Sequence, residues 1–303
     1  MFQKIKIVFF LGTLNAGGAE KVTLTQIRQL DSQKFDIYLI LVNKVGSFLN
    51  LVPSYVNVID LNKRKTIFSI FSLRKCLKEI QADIIYSTLL RTHIAVDFAL
   101  KTFLHGKVKT IYRSPSSPKT LFERGEVSFV MKYLIHKAYS NAYMVLAQTP
   151  EMKEEIHLYH KVEKDKIKTF LNPIDTDDID LKVKNSINPF DPNKINIVAA
   201  GRLSNVKGFD VLIDALDDVL KKNNKYLLHI IGRDGGEEKY LKMKVDNLGI
   251  SKYINFLGYQ ENPFKFFIHS DLFVLSSRRE GLPNVVLENI YLNKPIIATK
   301  CIP

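Results

Sequence analysis

The chain has 303 residues, 46% hydrophobic and 25% charged, so it is long enough for two globular domains and unlike a disordered or fibrous protein. Its two cysteines, Cys76 and Cys301, occur without a Cys-x-x-Cys or histidine-rich spacing, which argues against a disulfide framework or metal site and fits a reducing cytoplasm. The net charge is +13, and residues 1–170 carry 26 Lys+Arg against 14 Asp+Glu, so 26 − 14 = +12 of it lies in the first half.

The positive charge of the first half has two interpretations. It can be a solvated, lysine-rich surface, or it can meet an anionic partner such as a membrane leaflet or a phosphorylated lipid carrier. We do not expect nucleic acid as a partner, because no DNA- or RNA-binding motif accompanies the charge. No apolar run approaches the ~18–20 residues that span a bilayer, so an integral membrane protein is not expected either.

Short β-branched runs alternate with helical patterns along the first half. The N-terminal run resembles the apolar part of a signal peptide, but it continues into a helix and a second strand, so we interpret it as the first strand. Strands are predicted at 5–11, 35–42, 56–61, 83–87, 108–112 and 142–146, helices at 18–30, 67–80, 92–104 and 127–139, and further segments at 151–160 and 166–171. The polar segment 175–193, rich in Asp, Asn and Pro, then indicates a linker.

A second alternation of the same kind follows the linker. Its segments lie at 195–199, 209–222, 226–231, 237–248, 254–257, 263–269, 272–275, 285–292 and 295–298. Runs that are buried on both faces indicate parallel sheets covered by helices. We therefore predict an α/β protein of two Rossmann-like, doubly wound domains at 1–175 and 190–303, joined by a linker at 176–189, with ligands at the carboxyl ends of the strands.

Glycine-rich loops follow the first strand of each predicted domain. The loop 12–20 is not a G-x-G-x-x-G fingerprint, and no acidic residue closes the second strand, so NAD binding is disfavoured. Its Gly17-Gly18 pair fits either a helix start or a ligand site. In the loop 201–208, Arg202 and Lys207 can converge on a diphosphate, or they can be two solvated cations. A third loop, 232–236, is a weak signal by itself.

The segment 278–288 is the most informative part of the chain. Glu280 in a turn and Glu288 about two turns into a helix can face the same cleft. The Gly-Leu-Pro-Asn turn between them leaves backbone N–H groups at a helix N-terminus, where an anion is favoured. Carboxylates suit the hydroxyls of a sugar or a ribose, and free N–H groups suit a diphosphate. Together they predict a nucleotide-sugar site.

Several motifs, taken together, resemble glycosyltransferase family 4. They are Gly201-Arg202-Leu203 with Lys207-Gly208-Phe209, Asn172-Pro173-Ile174-Asp175, Phe256-Leu257-Gly258, and Glu280 and Glu288 separated by seven residues. The resemblance implies the GT-B fold, in which an acceptor-binding domain at 1–175 and a nucleotide-sugar donor-binding domain at 190–303 face a cleft. It also implies an enzyme that needs no metal or other cofactor and transfers a hexose or N-acetylhexosamine, with retention, from a nucleotide sugar for which UDP is the expected nucleotide.

The resemblance also implies roles for individual residues. Arg202 and Lys207 would hold the donor diphosphate and offset the charge on the leaving nucleotide, Glu280 would contact the transferred sugar, and Glu288 would bind the ribose. Attack from the front face by the acceptor hydroxyl would account for retention. The other residues that would contact the donor are Gly17, Gly18, Gly232, Gly281, Leu282, Pro283 and Asn284.

The chain departs from the family pattern in two places. Thr88 stands where many relatives carry a histidine, and His93, five residues further, is either a cleft residue or a polar residue at a helix start. Arg91 and Arg113 are expected near the same cleft. The chain also stops at Pro303, where relatives continue into further helices, so the resemblance implies a C-terminally truncated second domain.

Two segments combine apolar residues with cations, at 129–137 and at 67–78. Each can rest on a membrane surface or pack as a core-facing helix with a solvated edge. We expect a cytoplasmic enzyme, peripheral on the inner face of the membrane, whose acceptor is lipid-linked or a growing surface glycan. The alternatives are a nucleotide-sugar epimerase of the same fold and a non-catalytic nucleotide-binding or interaction module.

Overall fold

A computed structural model describes residues 3–15, 17–101, 106–123 and 128–301. The chain divides into two compact units between Pro173 and Ile174. Each unit is a parallel β-sheet covered by helices, and each encloses its own clusters of buried side chains. The predicted α/β class with two doubly wound domains is confirmed. Within the described ranges, every helix is too short or too polar to cross a bilayer.

The first unit contains a seven-stranded sheet, all of whose described pairings are parallel. Its first strand along the chain, Ile5–Leu11, lies inside the sheet and is apolar and buried from Ile7 onward, as expected for a strand covered on both faces. The strands are β1 (Ile5–Leu11), β2 (Phe35–Leu41), β3 (Asn57–Asp60), β4 (Ile84–Ser87), β5 (Lys109–Arg113), β6 (Met144–Ala147) and β7 (Ile167–Thr169). The helices are α1 (Gly18–Gln29), α2 (Ile70–Ile80), α3 (Leu90–Leu100), α4 (Pro118–Glu123), α5 (Phe129–Ser140) and α6 (Pro150–His160).

The second unit contains a five-stranded parallel sheet. Its helices are amphipathic: α8, for example, buries Phe209, Ile213 and Leu216 at helical spacing. The strands are β8 (Ile195–Ala200), β9 (Tyr226–Ile231), β10 (Ile254–Gly258), β11 (Leu272–Leu275) and β12 (Ile296–Ala298). The helices are α7 (Thr176–Val183), α8 (Phe209–Leu220), α9 (Glu238–Asn247), α10 (Phe264–His269) and α11 (Asn284–Tyr291).

The strand order places a ligand-binding edge in each sheet. The first sheet has the order β3-β2-β1-β4-β5-β6-β7 and the second β10-β9-β8-β11-β12, so in their own numbering both begin 3-2-1-4-5 and the first continues with 6-7. The order reverses between β1 and β4 and between β8 and β11. In open α/β sheets, ligands bind beyond the carboxyl ends of the strands at this reversal. The loops after β8 and β11 therefore lie where a ligand site is expected in the second unit.

The segment 176–189, expected as a linker, differs from that expectation. Its first half is helix α7, which Asp175 begins by accepting a hydrogen bond from the Asp178 N–H at 3.1 Å. Ile179 is buried in the core of the second unit, and α7 packs on α10. The aspartates that indicated a linker are a helix cap and first-turn acids, which favour a helix N-terminus.

Other differences are small. Helix α4 was not predicted, because it is short and begins at a proline. The predicted end of the helix at 92–104 falls within 102–105, and the predicted start of the helix at 127–139 falls within 124–127. Both segments lie outside the described residues, as do the last two residues of the chain.

A cluster of buried histidine and tyrosine rings lies in the first unit. His93 stacks on Tyr112 with ring centroids 4.6 Å apart, and His160 stacks on Tyr139 at 4.5 Å. Burial lowers the pKa of His93 from its ordinary value of 6.5 to about 3 and that of His160 to about 4. Both histidines are therefore neutral in the folded protein at neutral pH.

We expect acidification to about pH 5 to destabilise the first unit. In the unfolded chain both histidines bind a proton as the pH falls through 6.5, whereas the folded chain keeps His160 neutral down to about 4 and His93 down to about 3. The unfolded state thus takes up more protons, and each histidine lowers the free energy of unfolding by about 2 kcal/mol at about pH 5. Urea unfolding, monitored through hydrogen exchange of the backbone amides in β4 and α3, measures this loss of stability.

The His160→Phe variant provides the control for this experiment. Phenylalanine keeps a ring on Tyr139 but cannot bind a proton, so the loss of stability between neutral pH and about pH 5 should shrink by about 2 kcal/mol. A variant whose stability falls as steeply as that of the natural chain would show that His160 is not one of the groups responsible.

Candidate functional site

The loops that follow β8, β9 and β10 are joined by backbone hydrogen bonds. The Gly201 N–H donates to Ile231 at 2.9 Å, and the Gly232 N–H donates to Gly258 at 2.8 Å. A Cβ atom added to Gly232 would lie 1.8 Å from the Gly201 carbonyl oxygen. Only glycine fits at this position, so Gly232 has a packing role whether or not it also contacts a donor.

The structure brings Lys207 and Glu280 together. Lys207 Nζ lies 2.5 Å from Glu280 Oε1, although the residues are 73 positions apart. The Ser277 hydroxyl donates to the same oxygen at 2.6 Å, and the Glu280 N–H donates to the Cys301 carbonyl at 3.0 Å. The other oxygen, Oε2, accepts no hydrogen bond from any described residue. The carboxylate is thus held on one side and can accept a hydrogen bond from a sugar hydroxyl on the other.

Arg202 lies on the same loop as Lys207 but is not held in the same way. Its side chain is exposed, and its guanidinium forms no hydrogen bond or ion pair with the described residues. Its stem passes close to Gly235, where an added Cβ would lie 2.7 Å from Arg202 Cγ. Arg202 is therefore a solvent-facing cation next to the loop after β9, and it does not contact the carboxylates.

Glu288 lies on helix α11, which begins at Asn284 directly after Pro283. Glu288 is almost fully buried, as is its neighbour Asn289. The segment 281–284 connects Glu280 to this helix, so its backbone leads from one carboxylate to the helix that carries the other. The partial positive charge of the helix N-terminus favours an anion at this turn.

Four other candidate residues lie in the first unit: Thr88, Arg91 and His93 follow β4, and Arg113 is the last residue of β5. Thr88 and Arg113 are buried, and the guanidinium of Arg113 donates to Thr88 Oγ1 at 3.0 Å and to Asn172 Oδ1 at 2.5 Å. His93 Nε2 lies 3.1 Å from the Ser87 carbonyl oxygen, and its ring is in the buried aromatic cluster. Of the four, Arg91 alone has an exposed side chain. The structure thus places His93 in the core at the start of α3.

Gly17 and Gly18 lie at the start of α1, after β1. Gly17 caps the helix with its backbone, and the Lys21 N–H donates to its carbonyl at 3.0 Å. An added Cβ at Gly17 would meet the Glu20 side chain, which is flexible. The pair therefore begins a helix at the ligand-binding edge of the first sheet.

Sequence reasoning gave no role to three residues that support the Lys207–Glu280 pair. These are Ser277, which binds Glu280, Arg278, and its partner Asp210. Asp210 lies three residues after Lys207 and Arg278 lies two before Glu280, so both are close to predicted site residues. Nothing in the sequence indicates that they pair with each other.

Comparisons with known proteins agree with this architecture. Residues 16–178 match the model of Glycosyltransferase Family 4, and residues 182–303 match the model of Glycosyl transferases group 1. The crystal structure of Anabaena Alr3699/HepE in complex with UDP and glucose has a TM-score of 0.78 to this chain at 20% identity, covering 98% of this chain and 81% of that one.

Relatives of known sequence are also glycosyltransferases. An uncharacterised glycosyltransferase of Methanocaldococcus jannaschii is 29% identical over 76% of this chain, which spans 59% of the relative's length. A Campylobacter jejuni protein, N-acetylgalactosamine-N,N'-diacetylbacillosaminyl-diphospho-undecaprenol 4-alpha-N-acetylgalactosaminyltransferase, is 25% identical over 97% of this chain and 80% of its own length. With matches to family models across both units, the chain belongs to glycosyltransferase family 4 and has the GT-B fold of these enzymes.

Proposed function

We propose that the protein transfers a hexose or N-acetylhexosamine, with retention, from a UDP-sugar to a lipid-linked or growing surface glycan. The contact between Lys207 and Glu280 carries this proposal. In a nucleotide sugar, the diphosphate and the sugar ring are joined by one oxygen atom. A cation and a carboxylate in contact are therefore placed to bind the two parts of such a donor side by side.

The charges of the site suit the chemistry of transfer. When the bond between the anomeric carbon and the diphosphate oxygen breaks, positive charge grows on the ring and negative charge on the leaving diphosphate. Lys207, fixed by Glu280, and Arg202, facing solvent, would stabilise the diphosphate in the role that a metal ion has in other transferases. The Glu280 carboxylate would bind a sugar hydroxyl through Oε2, and Glu288 would bind the ribose.

Retention follows in this proposal from attack on the same face that the diphosphate leaves. The acceptor hydroxyl forms the new bond to the anomeric carbon as the diphosphate departs, and a leaving-group phosphate oxygen accepts the hydroxyl proton. We propose that the chain needs no metal, because the two cations already oppose the developing charge. UDP is favoured as the nucleotide by the fold shared with the UDP complex of HepE.

A lipid-linked acceptor is supported by the surface of the first unit. Between Asp60 and Glu79 the chain carries six cations and no acidic residue. In the same segment Ile67, Phe68 and Phe71 are exposed by 66%, 62% and 78%, while the opposite face of α2 is buried in the core. Exposed apolar rings among cations suit an anionic membrane surface. The Campylobacter relative is named for a diphospho-undecaprenol acceptor, which is a membrane lipid.

We expect the protein to bind vesicles that contain anionic lipid and to leave them at high salt, because exposed charge pairs are screened. Replacing Phe68 and Phe71 together by serine should reduce the bound fraction about tenfold or more, since each buried ring contributes roughly 1.5–3 kcal/mol. Flotation with neutral vesicles and with vesicles containing phosphatidylglycerol measures both effects.

Leu181→Ser is the matched control for this experiment. Leu181 is also strongly exposed, at 75%, but it lies on α7 among Asp177, Asp178 and Asp180, where an anionic surface would be repelled. Its substitution should leave vesicle binding unchanged. Equal losses in the two variants, or binding to neutral vesicles alone, would contradict a membrane surface at 63–78.

The catalytic proposal is tested with the whole chain, labelled UDP-sugars and a polyprenyl-diphosphate-linked glycan. We expect transfer to the lipid acceptor, with the α configuration of an α-linked donor kept in the product, as measured by NMR. Release of an epimerised sugar would instead identify an epimerase, and nucleotide binding without turnover would identify a non-catalytic module. The absence of any nucleotide binding by calorimetry would refute the donor site itself.

A further inference from the structure

Arg278 joins the two loops that carry the candidate site. Its guanidinium forms a fork on Asp210 at the start of α8, with Nη1–Oδ1 at 2.8 Å and Nη2–Oδ2 at 2.6 Å. Nη1 also donates to the Asn205 carbonyl at 2.6 Å, and the backbone N–H donates to the Val206 carbonyl at 2.8 Å. A bidentate pair fixes orientation as well as distance. Arg278, a single residue in the loop after β11, thus binds three residues that follow β8: Asn205, Val206 and Asp210.

These bonds flank the contact between Lys207 and Glu280. Asn205 and Val206 directly precede Lys207, and Arg278 lies two residues before Glu280. Beside them, the Ser276 hydroxyl donates to the Lys207 carbonyl at 2.9 Å. The backbone on each side of the ion pair is therefore fastened to the opposite loop, so the position of one charged side chain depends on the other loop.

Arg278 differs from Arg202 in how its charge is used. The carboxylate of Asp210 balances the guanidinium of Arg278, and the hydrogen bond from Arg278 lowers the pKa of Asp210. Arg202 has no such partner among the described residues. An arginine already forked on a carboxylate has few donors left for a ligand. The two arginines of the site therefore divide between binding a ligand and holding the loops.

We propose that Arg278 is a positioning residue that acts through Asp210 to keep Lys207 and Glu280 in contact. The geometry of the two loops is the same whatever the ligand, and its use in binding a diphosphate and its sugar rests on the proposed function. Both residues lie outside the motifs that resemble the family.

The test compares Arg278→Lys and Asp210→Asn with Asp214→Asn in the whole chain. Asp214 lies one turn further along α8 and binds Lys244 at 2.7 Å, so it is a matched loss of a carboxylate. The first measurement is the rate at which acetic anhydride labels Lys207, followed by mass spectrometry. The second is the Kd for UDP by calorimetry.

We expect Arg278→Lys and Asp210→Asn to speed the labelling of Lys207 and to weaken UDP binding by about tenfold. Asp214→Asn should change neither, and the charge-exchanged pair Arg278→Asp with Asp210→Arg should recover part of the affinity. Unchanged labelling of Lys207 in both site variants, or equal labelling changes in Asp214→Asn, overturns the proposal. A natural chain that does not bind UDP would refute the donor, while the labelling still decides the role of Arg278.

Discussion

The Lys207→Ala substitution is expected to lower kcat/KM for sugar transfer by about 10²–10³-fold, the usual effect of removing one group that stabilises transition-state charge. The loss has two physical causes. The diphosphate loses a fixed cation, and, among the described residues, Glu280 Oε1 then accepts a hydrogen bond from the Ser277 hydroxyl alone. Steady-state kinetics with a labelled UDP-sugar measure the change, and addition of Arg202→Ala should lower the rate further.

Lys222→Ala is the control for Lys207→Ala. Lys222 follows the C-terminus of α8, in the same unit and with an exposed side chain, and it precedes β9 at the opposite edge of the sheet from the site. Its removal changes the net charge equally and should leave the kinetics within error. If the two variants transfer sugar at similar rates, Lys207 does not act on the diphosphate.

The Gly208→Ala substitution is expected to reduce stability and transfer together. Gly208 has a φ of +61°, and an added Cβ would lie 2.2 Å from the Ser276 carbonyl oxygen. The methyl group would push the two site loops apart, at a cost of about 1–3 kcal/mol beyond the backbone strain. Lys207 immediately precedes Gly208, so the ion pair with Glu280 would be displaced. Urea unfolding and transfer rates measure the two effects.

Gly249→Ala separates the two causes. Gly249 has a similar φ of +68°, but an added Cβ there would meet nothing within 4 Å. It should therefore cost only the strain of a left-handed residue, roughly 1–2 kcal/mol, and leave transfer unchanged. A Gly208→Ala enzyme as active as the Gly249→Ala enzyme would show that the approach of the two loops does not matter for the reaction.

The alternation of elements could be predicted from sequence because buried parallel strands are apolar on both faces. Segments such as 5–11, 226–231 and 272–275 agree with the observed strands to the residue. The helix at 176–183 could not be predicted, because the same aspartates favour a loop in isolation and a helix cap once Ile179 is buried. Local composition does not indicate which side chain will be buried in a core.

The site could be predicted only in part, for a related reason. The loops with Arg202, Lys207 and Glu280 were indicated by their residue types and their place after strands. The pairing of Arg278 with Asp210 depends on the adjacency of β8 and β11, which are separated by two other strands in the chain. Likewise, the burial of Arg113 and His93 depends on packing between elements, whereas the sequence indicated the cleft for Arg113 and either the cleft or a helix start for His93.

The two independent cores have an evolutionary consequence. Each sheet encloses its own interior on either side of the Pro173–Ile174 peptide, so genetic recombination at that point would exchange one half while preserving the interior of the other. If the first unit binds the acceptor and the second the donor, as the family resemblance implies, a single crossover would give an existing acceptor half a new donor preference. Genes of this family could thus change the glycan that their products help to build by exchanging halves as well as by point mutation.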